Sequence, residues 1–212
     1  MSVSNSTKEA YDKIYKSYKK TVKSEGLDHP YIERFLGYLR PNQHILDAGA
    51  GTGFIANEIK ALHKLNVTAI DISPKMVKQA KRDFPSLNYS QMDMRWLKFP
   101  RNNFDAIFAN YSLIHIIEDD VEMTLNGFAK VLKPRGYLYL ALQCPITSKQ
   151  QGGYYPVVYK KKEHLFINLF EEKEIKKHLI KSGFKIICTD IRKPDKKTEF
   201  PFNKLFIIAQ KK

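Results

Sequence analysis

The chain has 212 residues, enough to bury one sizeable core but too few to call for a second full domain. Its 43% hydrophobic and 27% charged residues exclude a disordered chain, and no run approaches the ~18 consecutive apolar residues of a membrane span. The net charge of +14 raises the question of a polyanionic partner, but only 7 of the 36 basic residues are Arg, the better phosphate fork, so a Lys-rich solvated surface is favoured over a nucleic-acid groove.

The excess charge sits at the ends of the chain. Residues 45–142 carry 12 basic against 10 acidic side chains, whereas residues 143–212 carry 16 against 7. Met1 to Thr7 are small and polar, without the apolar stretch of a secretory signal. Cys144 and Cys188 stand apart, without metal-ligand spacing, and read as buried free thiols. A cytoplasmic protein without a membrane segment or bound metal is expected.

Along the chain, Lys8 to Val22 places Tyr11, Ile14, Tyr15, Tyr18 and Val22 on one face of a helix. Asp28-His29-Pro30 opens a second helix with Ile32, Phe35, Leu36 and Leu39 inward, and Pro41-Asn42 stops it. Periods then alternate. His44–Asp47 is a short buried strand, Gly49–Gly53 a glycine turn, and Phe54–His63 a helix. Leu65–Ile70 is a second strand, followed by a helix that Ser73 caps with Pro74 at its first position.

Leu87–Gln91 is a third strand and Phe104–Ala109 a fourth, apolar on both faces as a central parallel strand must be. A helix over Glu118–Leu132 ends at Lys133-Pro134-Arg135-Gly136, and Tyr137–Leu142 is a fifth strand. Residues 143–165 break the pattern and read as a long loop. A helix over Glu171–Ser182, closed by Gly183, and strands over Phe184–Ile191 and Leu205–Gln210 complete the chain. Strands alternating with helices at this spacing imply an α/β protein with a parallel sheet and right-handed crossovers.

The sharpest motif is Asp47-Ala48-Gly49-Ala50-Gly51-Thr52-Gly53, directly after a strand and before a helix. Its glycines permit a tight turn and a close backbone approach by a ligand. Asp71 ends the second strand, where a carboxylate can accept both hydroxyls of a ribose. Asp93, between Met92 and Met94, follows the third strand, and Asn110 ends the fourth. All four signals converge outside the carboxyl ends of adjacent strands.

Residues 45–142 resemble a class I, seven-stranded S-adenosylmethionine-dependent methyltransferase of the small-molecule "type 11" group, a likeness completed by the Leu132 to Gly136 turn. The resemblance implies a Rossmann-like, mostly parallel seven-stranded sheet in the order 3-2-1-4-5-7-6, its last strand antiparallel. It also implies one methyltransferase domain over 1–212, with a helical cap over 1–40 and a substrate-loop insertion over 143–165.

By that resemblance Gly49, Gly51 and Gly53 hold the methionine part of S-adenosyl-L-methionine, and Asp47 and Ala48 belong with them to the cofactor site. Asp71 holds the ribose, Ile72 and Met76 the adenine face, Asp93 and Met94 the adenine edge, and Asn110 the amino group. Tyr11 and Tyr18 resemble the family's opening tyrosines that close over the cofactor. Each residue also has a plainer reading: Met76 as helix core, and the tyrosine stripe as packing against the sheet. A nicotinamide dehydrogenase fits less well, because it wants a glycine where Phe54 stands.

His115, just beyond the fourth strand, is either a general base or a residue lining the following helix. The loop over 143–165, with Tyr154, Tyr155, Tyr159, Lys149, Lys160, Lys161, Lys162 and His164, is the candidate cover of the acceptor. The expected reaction is methyl transfer to oxygen or nitrogen of a small molecule, releasing S-adenosyl-L-homocysteine, by a monomer or homodimer. An RNA or protein methyltransferase and a silent cofactor-binding protein are the alternatives. The run Ala109-Asn110-Tyr111-Ser112 lacks the two prolines by which base-amino methyltransferases resemble one another.

Overall fold

The computed structural model describes residues 2–21, 26, 28–157 and 160–212. Val22 and Tyr159, singled out above, lie outside them. The strands β1 (His44–Ala48), β2 (Asn66–Asp71), β3 (Asn88–Gln91), β4 (Phe104–Asn110) and β5 (Leu132–Cys144) each follow the expected periodicity. They pair in parallel in the order β3-β2-β1-β4-β5. The hairpin of β6 (Gly153–Val157) and β7 (Lys160–Ile167) stands apart, and β8 (Phe184–Arg192) and β9 (Asn203–Lys211) complete the sheet as β5-β9-β8. Because β9 runs antiparallel to both neighbours, the order is the expected 3-2-1-4-5-7-6 once the hairpin strands are left out of the count.

Alternation along the strands divides the core into two layers, one on each face of the sheet. Leu138, Leu140 and Leu142 of β5 join one cluster, whereas Tyr139 and Ala141 join the other. The first layer takes α1 (Val3–Thr21), α5 (Glu118–Val131) and α6 (Glu172–Lys181) through Ile14, Phe128 and Leu179. The second takes α2 (His29–Leu36), α3 (Phe54–His63) and α4 (Pro74–Asp83) through Phe35, Ile59 and Ala80. Helices on both faces are what a buried parallel sheet requires.

Three differences from the sequence expectation have physical causes. Residues 143–165 are not one loop: Gly153–Val157 and Lys160–Ile167 pair antiparallel, with Val157 and Leu165 buried. The strand β5 begins at Leu132, because Leu132 pairs with Phe104 before a register shift. Helix α2 ends at Leu36, ahead of Leu39, and Asp28 does not cap it with its side chain. That carboxylate instead accepts from Arg192 and from the Tyr111 hydroxyl at 2.8 Å. At α4 the expected cap is present: the Ser73 hydroxyl accepts from Met76 N at 3.1 Å.

Candidate active site

The turn after β1 is held in place from three sides. Gly49 N and Ala50 N both donate to Ile70 O at 2.9 Å, and Gly51 N donates to Asp71 Oδ2 at 2.9 Å. The other carboxylate oxygen of Asp71 accepts from Ser73 N at 2.8 Å, and the Tyr89 hydroxyl donates to Gly51 O at 2.7 Å. Gly49 has φ +89°, and a Cβ there would lie 2.3 Å from Ser112 Cβ. A glycine is therefore required by both conformation and space. Ser112 in turn donates to Ala48 O at 2.5 Å, tying the exit of β4 to the turn.

These ends line a cleft of about 630 Å3 counting its mouth open to solvent. Of the residues expected from the sequence, Tyr11, Tyr18, Gly49, Gly51, Asp71, Ile72, Asp93, Met94, Asn110 and His115 line it. Asp47 lines a smaller adjoining recess with Gly49 and Asn110. Ala48, Gly53 and Met76 stand behind the wall: Met76 and Ala48 are wholly buried in the core, and Gly53, at φ +77°, closes against Ala80, Leu87 and Tyr89. For Met76 the plainer reading, helix core, is the one that fits.

The cleft and its adjoining recess are lined by buried carboxyl groups. Burial raises the Asp71 carboxyl to about 6, against the lowering effect of the Ser73 and Gly51 amides. Burial, then the charge of Asp71, raises Asp47 to about 8. Asp93 is held by Arg95, whose Nη2 lies 2.7 Å from Oδ2, and the same guanidinium reaches Asp120 Oδ2 at 2.7 Å. Two polar atoms of the lining have no partner: Asn110 Oδ1 and Thr7 Oγ1, both buried. A buried acceptor left unpaired costs free energy, so such atoms point to a ligand that satisfies them.

His115 is 8% exposed. Its Nδ1 lies 2.7 Å from Phe166 O, and a carbonyl only accepts, so Nδ1 carries the proton. Its Nε2 then accepts from the Tyr11 hydroxyl at 2.7 Å. Burial lowers the imidazole to about 4, outweighing the Phe166 carbonyl, and it is neutral at neutral pH. Tyr11 and Tyr18 meet edge to face at 5.8 Å, and burial beside Asp71 and Asp47 raises Tyr18 to about 12.

The residues missed in the sequence are Thr7, Tyr111 and Ser112, which carry no motif. A positive φ at Tyr111, +50°, is a structural signal only. The mixed Tyr and Lys side chains expected over the acceptor are largely outside it: Tyr154 is 51% exposed, and Lys149, Lys162 and His164 are exposed too. The inward positions of the hairpin are apolar instead.

Comparison with known proteins agrees with this geometry. The family described as "Methyltransferase domain" matches residues 45–136. An O-methyltransferase of Pyrenophora dematioidea is 29% identical over 161 residues, 72% of this chain and 58% of that protein. A solved SAM-dependent methyltransferase of Methanosarcina mazei superposes with TM-score 0.74 at 22% identity, over 86% of this chain and 97% of that one. The Burkholderia thailandensis 1,6-didemethyltoxoflavin-N1-methyltransferase, solved with its acceptor and S-adenosylhomocysteine, gives TM-score 0.75 at 20% identity, over 98% and 88%.

The fold is that of the solved S-adenosylmethionine-dependent methyltransferases to which the chain is similar, and a methyltransferase-domain segment lies at its centre. Residues 45–136 of this chain match the model of the methyltransferase-domain family. The chain spans about half the length of the curated relatives it matches, 58%, 40% and 55% for the first three.

Proposed function

We propose that this protein transfers a methyl group from S-adenosyl-L-methionine to an oxygen of a small molecule, with nitrogen the alternative, leaving S-adenosyl-L-homocysteine. The observation that carries the reading is the cleft itself: Asp71 at the end of β2, accepting a hydrogen bond from Gly51 N of the glycine turn, in one lining with an unpaired Asn110 Oδ1. A carboxylate in that place suits two ribose hydroxyls, and a lone carbonyl oxygen suits an ammonium donor. Asp93 and Met94 suit an adenine edge, and Ile72 its face. Several curated relatives are named O-methyltransferases, which favours oxygen.

When bound, S-adenosylmethionine supplies a methyl group on a positively charged sulfur. The Asp71 carboxyl, ionised at neutral pH, adds a negative charge to the cleft that favours the positive sulfur. The chain's own work is alignment, since a nucleophile held in line at contact distance needs little further assistance. Tyr11 and His115 would hold the acceptor hydroxyl, the proton passing to Nε2 of His115 directly or through the Tyr11 phenol. With its imidazole lowered to about 4, His115 is a weak proton store and orients more than it abstracts.

The cytoplasm, with its reducing conditions, suits the two free thiols. No helix among the described residues is long and apolar enough to cross a membrane.

The test is incubation of the purified protein with S-adenosylmethionine and a set of small phenols and amines, read by mass spectrometry. Gain of one methyl mass on a phenol, with S-adenosylhomocysteine formed in equal amount, is expected. Cofactor binding without any methylated product would favour a silent binding protein.

A further inference from the structure

A second cavity, about 710 Å3 counting its open mouth, adjoins the cofactor cleft. Tyr11, Tyr18, Tyr111 and His115 line both, so these side chains form the wall between the cavity and the cleft. Its side walls are apolar, from Val157, Leu165 and Ile167 of the hairpin and from Phe200. Its far wall is polar, and is made by a cross-strand pair: Gln143 of β5 opposite Lys204 of β9.

Lys204 is 2% exposed, an uncommon position for an ammonium. Its Nζ donates to Gln143 Oε1 at 2.8 Å and to the carbonyls of Phe200 and Phe202 at 3.2 Å each. All three partners are uncharged. Glu199, which also lines the cavity, is committed elsewhere: its oxygens accept from Arg192 and from Asp195 N. Arg192 is in turn shared with Asp28. The cavity thus presents an ammonium whose own contacts include no carboxylate, at the end of an apolar slot. A buried cation in that state gains more from an anionic partner than from another neutral oxygen.

We propose that this cavity is the acceptor site, and that Lys204 selects acceptors carrying a carboxylate on a flat apolar body. The inference rests on the methyltransferase reading given above. The acid group would exchange with one of the two long carbonyl contacts of Nζ, while the opposite end of the acceptor meets Tyr11 and His115. A lysine that merely pins the Phe200 and Phe202 carbonyls would support stability equally for every acceptor. Selectivity between charged and uncharged acceptors is what separates the two roles.

The experiment uses the full chain saturated with S-adenosylhomocysteine. Two probes of like shape, 4-hydroxybenzoate and 4-hydroxybenzyl alcohol, are titrated by calorimetry into wild type and Lys204→Met. Wild type should prefer the acid by about tenfold, the scale of one charge-assisted contact, and Lys204→Met should bind both alike. Absence of preference in wild type, failure of both probes to bind, or a preference that survives in Lys204→Met overturns the proposal.

Should Lys204→Met fail to fold, wild type alone suffices. Burial lowers Lys204 to about 8, with Glu199 and Asp28 opposing and Arg192 assisting, and Cys144 the remaining group facing it. Burial keeps the Cys144 thiol raised and the hydrogen bonds of Arg192 keep its guanidinium charged, so lysine loses its charge first. The preference for the acid should fade as pH rises through about 8, and a constant preference overturns the proposal. Failure of S-adenosylhomocysteine itself to bind would overturn the methyltransferase reading, whereas its binding without acid preference overturns this inference alone.

Discussion

The Tyr11 hydroxyl and His115 Nε2 lie 2.7 Å apart, joining the first helix to the turn after β4 across 104 residues of sequence. The bond closes one side of the cleft, and the Phe166 carbonyl on β7 fixes the imidazole tautomer from behind. Removing the imidazole should slow methyl transfer about a hundredfold, a modest share of what general-base residues supply, while Tyr11→Phe should cost about tenfold. Single-turnover rates at saturating cofactor would check this, with S-adenosylhomocysteine affinity measured alongside to separate loss of cofactor from loss of alignment.

If Asp71 holds the ribose as proposed, its buried carboxyl should make cofactor affinity pH-dependent. Burial raises it to about 6 in the free protein, and ribose hydroxyls need the ionised form as acceptor. Affinity should therefore fall as pH drops through about 6, approaching tenfold per pH unit below it, and level off above. Titrations of S-adenosylhomocysteine from about pH 5 to 7 would show the slope, and a flat profile would remove Asp71 from the ribose.

His115 acts on stability in the opposite sense to an ordinary surface histidine. Its folded-state value of about 4 lies below the unfolded value of 6.5, so below pH 6.5 the unfolded chain binds a proton that the folded one refuses. The stability it contributes is complete above that pH and is lost as pH falls from 6.5 towards 4, by up to about 3 kcal/mol. Urea unfolding at several pH values should show this loss in wild type and a shallower one in His115→Gln.

The central α/β pattern was legible because each buried strand and each capped helix carries its own local period. The pairing of β6 with β7 was not. Pro156, the lysines at 160–162 and alternating aromatic residues conceal a hairpin whose buried positions among the described residues are Val157, Leu165 and Ile167. Within the candidate site, Gly49 and Gly51 could be read because a backbone turn demands them, and Asp71 and Asn110 because each ends a strand beside it. Thr7, Ser112 and Lys204 could not, since each acquires its neighbours only when distant segments pack.

Two glycines separate local space from motif. Gly127 lies within α5 with nothing within 4 Å of an added Cβ, so Gly127→Ala should stabilise the fold by about 0.5–1 kcal/mol. Gly49→Ala meets Ser112 at 2.3 Å and a positive φ, and should destabilise by at least about 2 kcal/mol and abolish cofactor binding. Thermal unfolding of the pair would compare them directly.

Arg192 neutralises both Asp28 and Glu199 while only 14% of its side chain is exposed. Arg192→Met would leave two half-buried carboxylates facing each other, at a cost of about 2–4 kcal/mol. Denaturant unfolding should register that loss, and Asp28→Asn added to Arg192→Met should recover part of it.

The most direct test of the cofactor site is calorimetric titration of S-adenosylhomocysteine into wild type and Asp71→Asn. Binding by wild type that weakens at least about thirtyfold in the variant, near the 2 kcal/mol of a lost charged acceptor, is expected. Equal affinity in both, or no binding by wild type, would contradict the assignment of this cleft to S-adenosylmethionine.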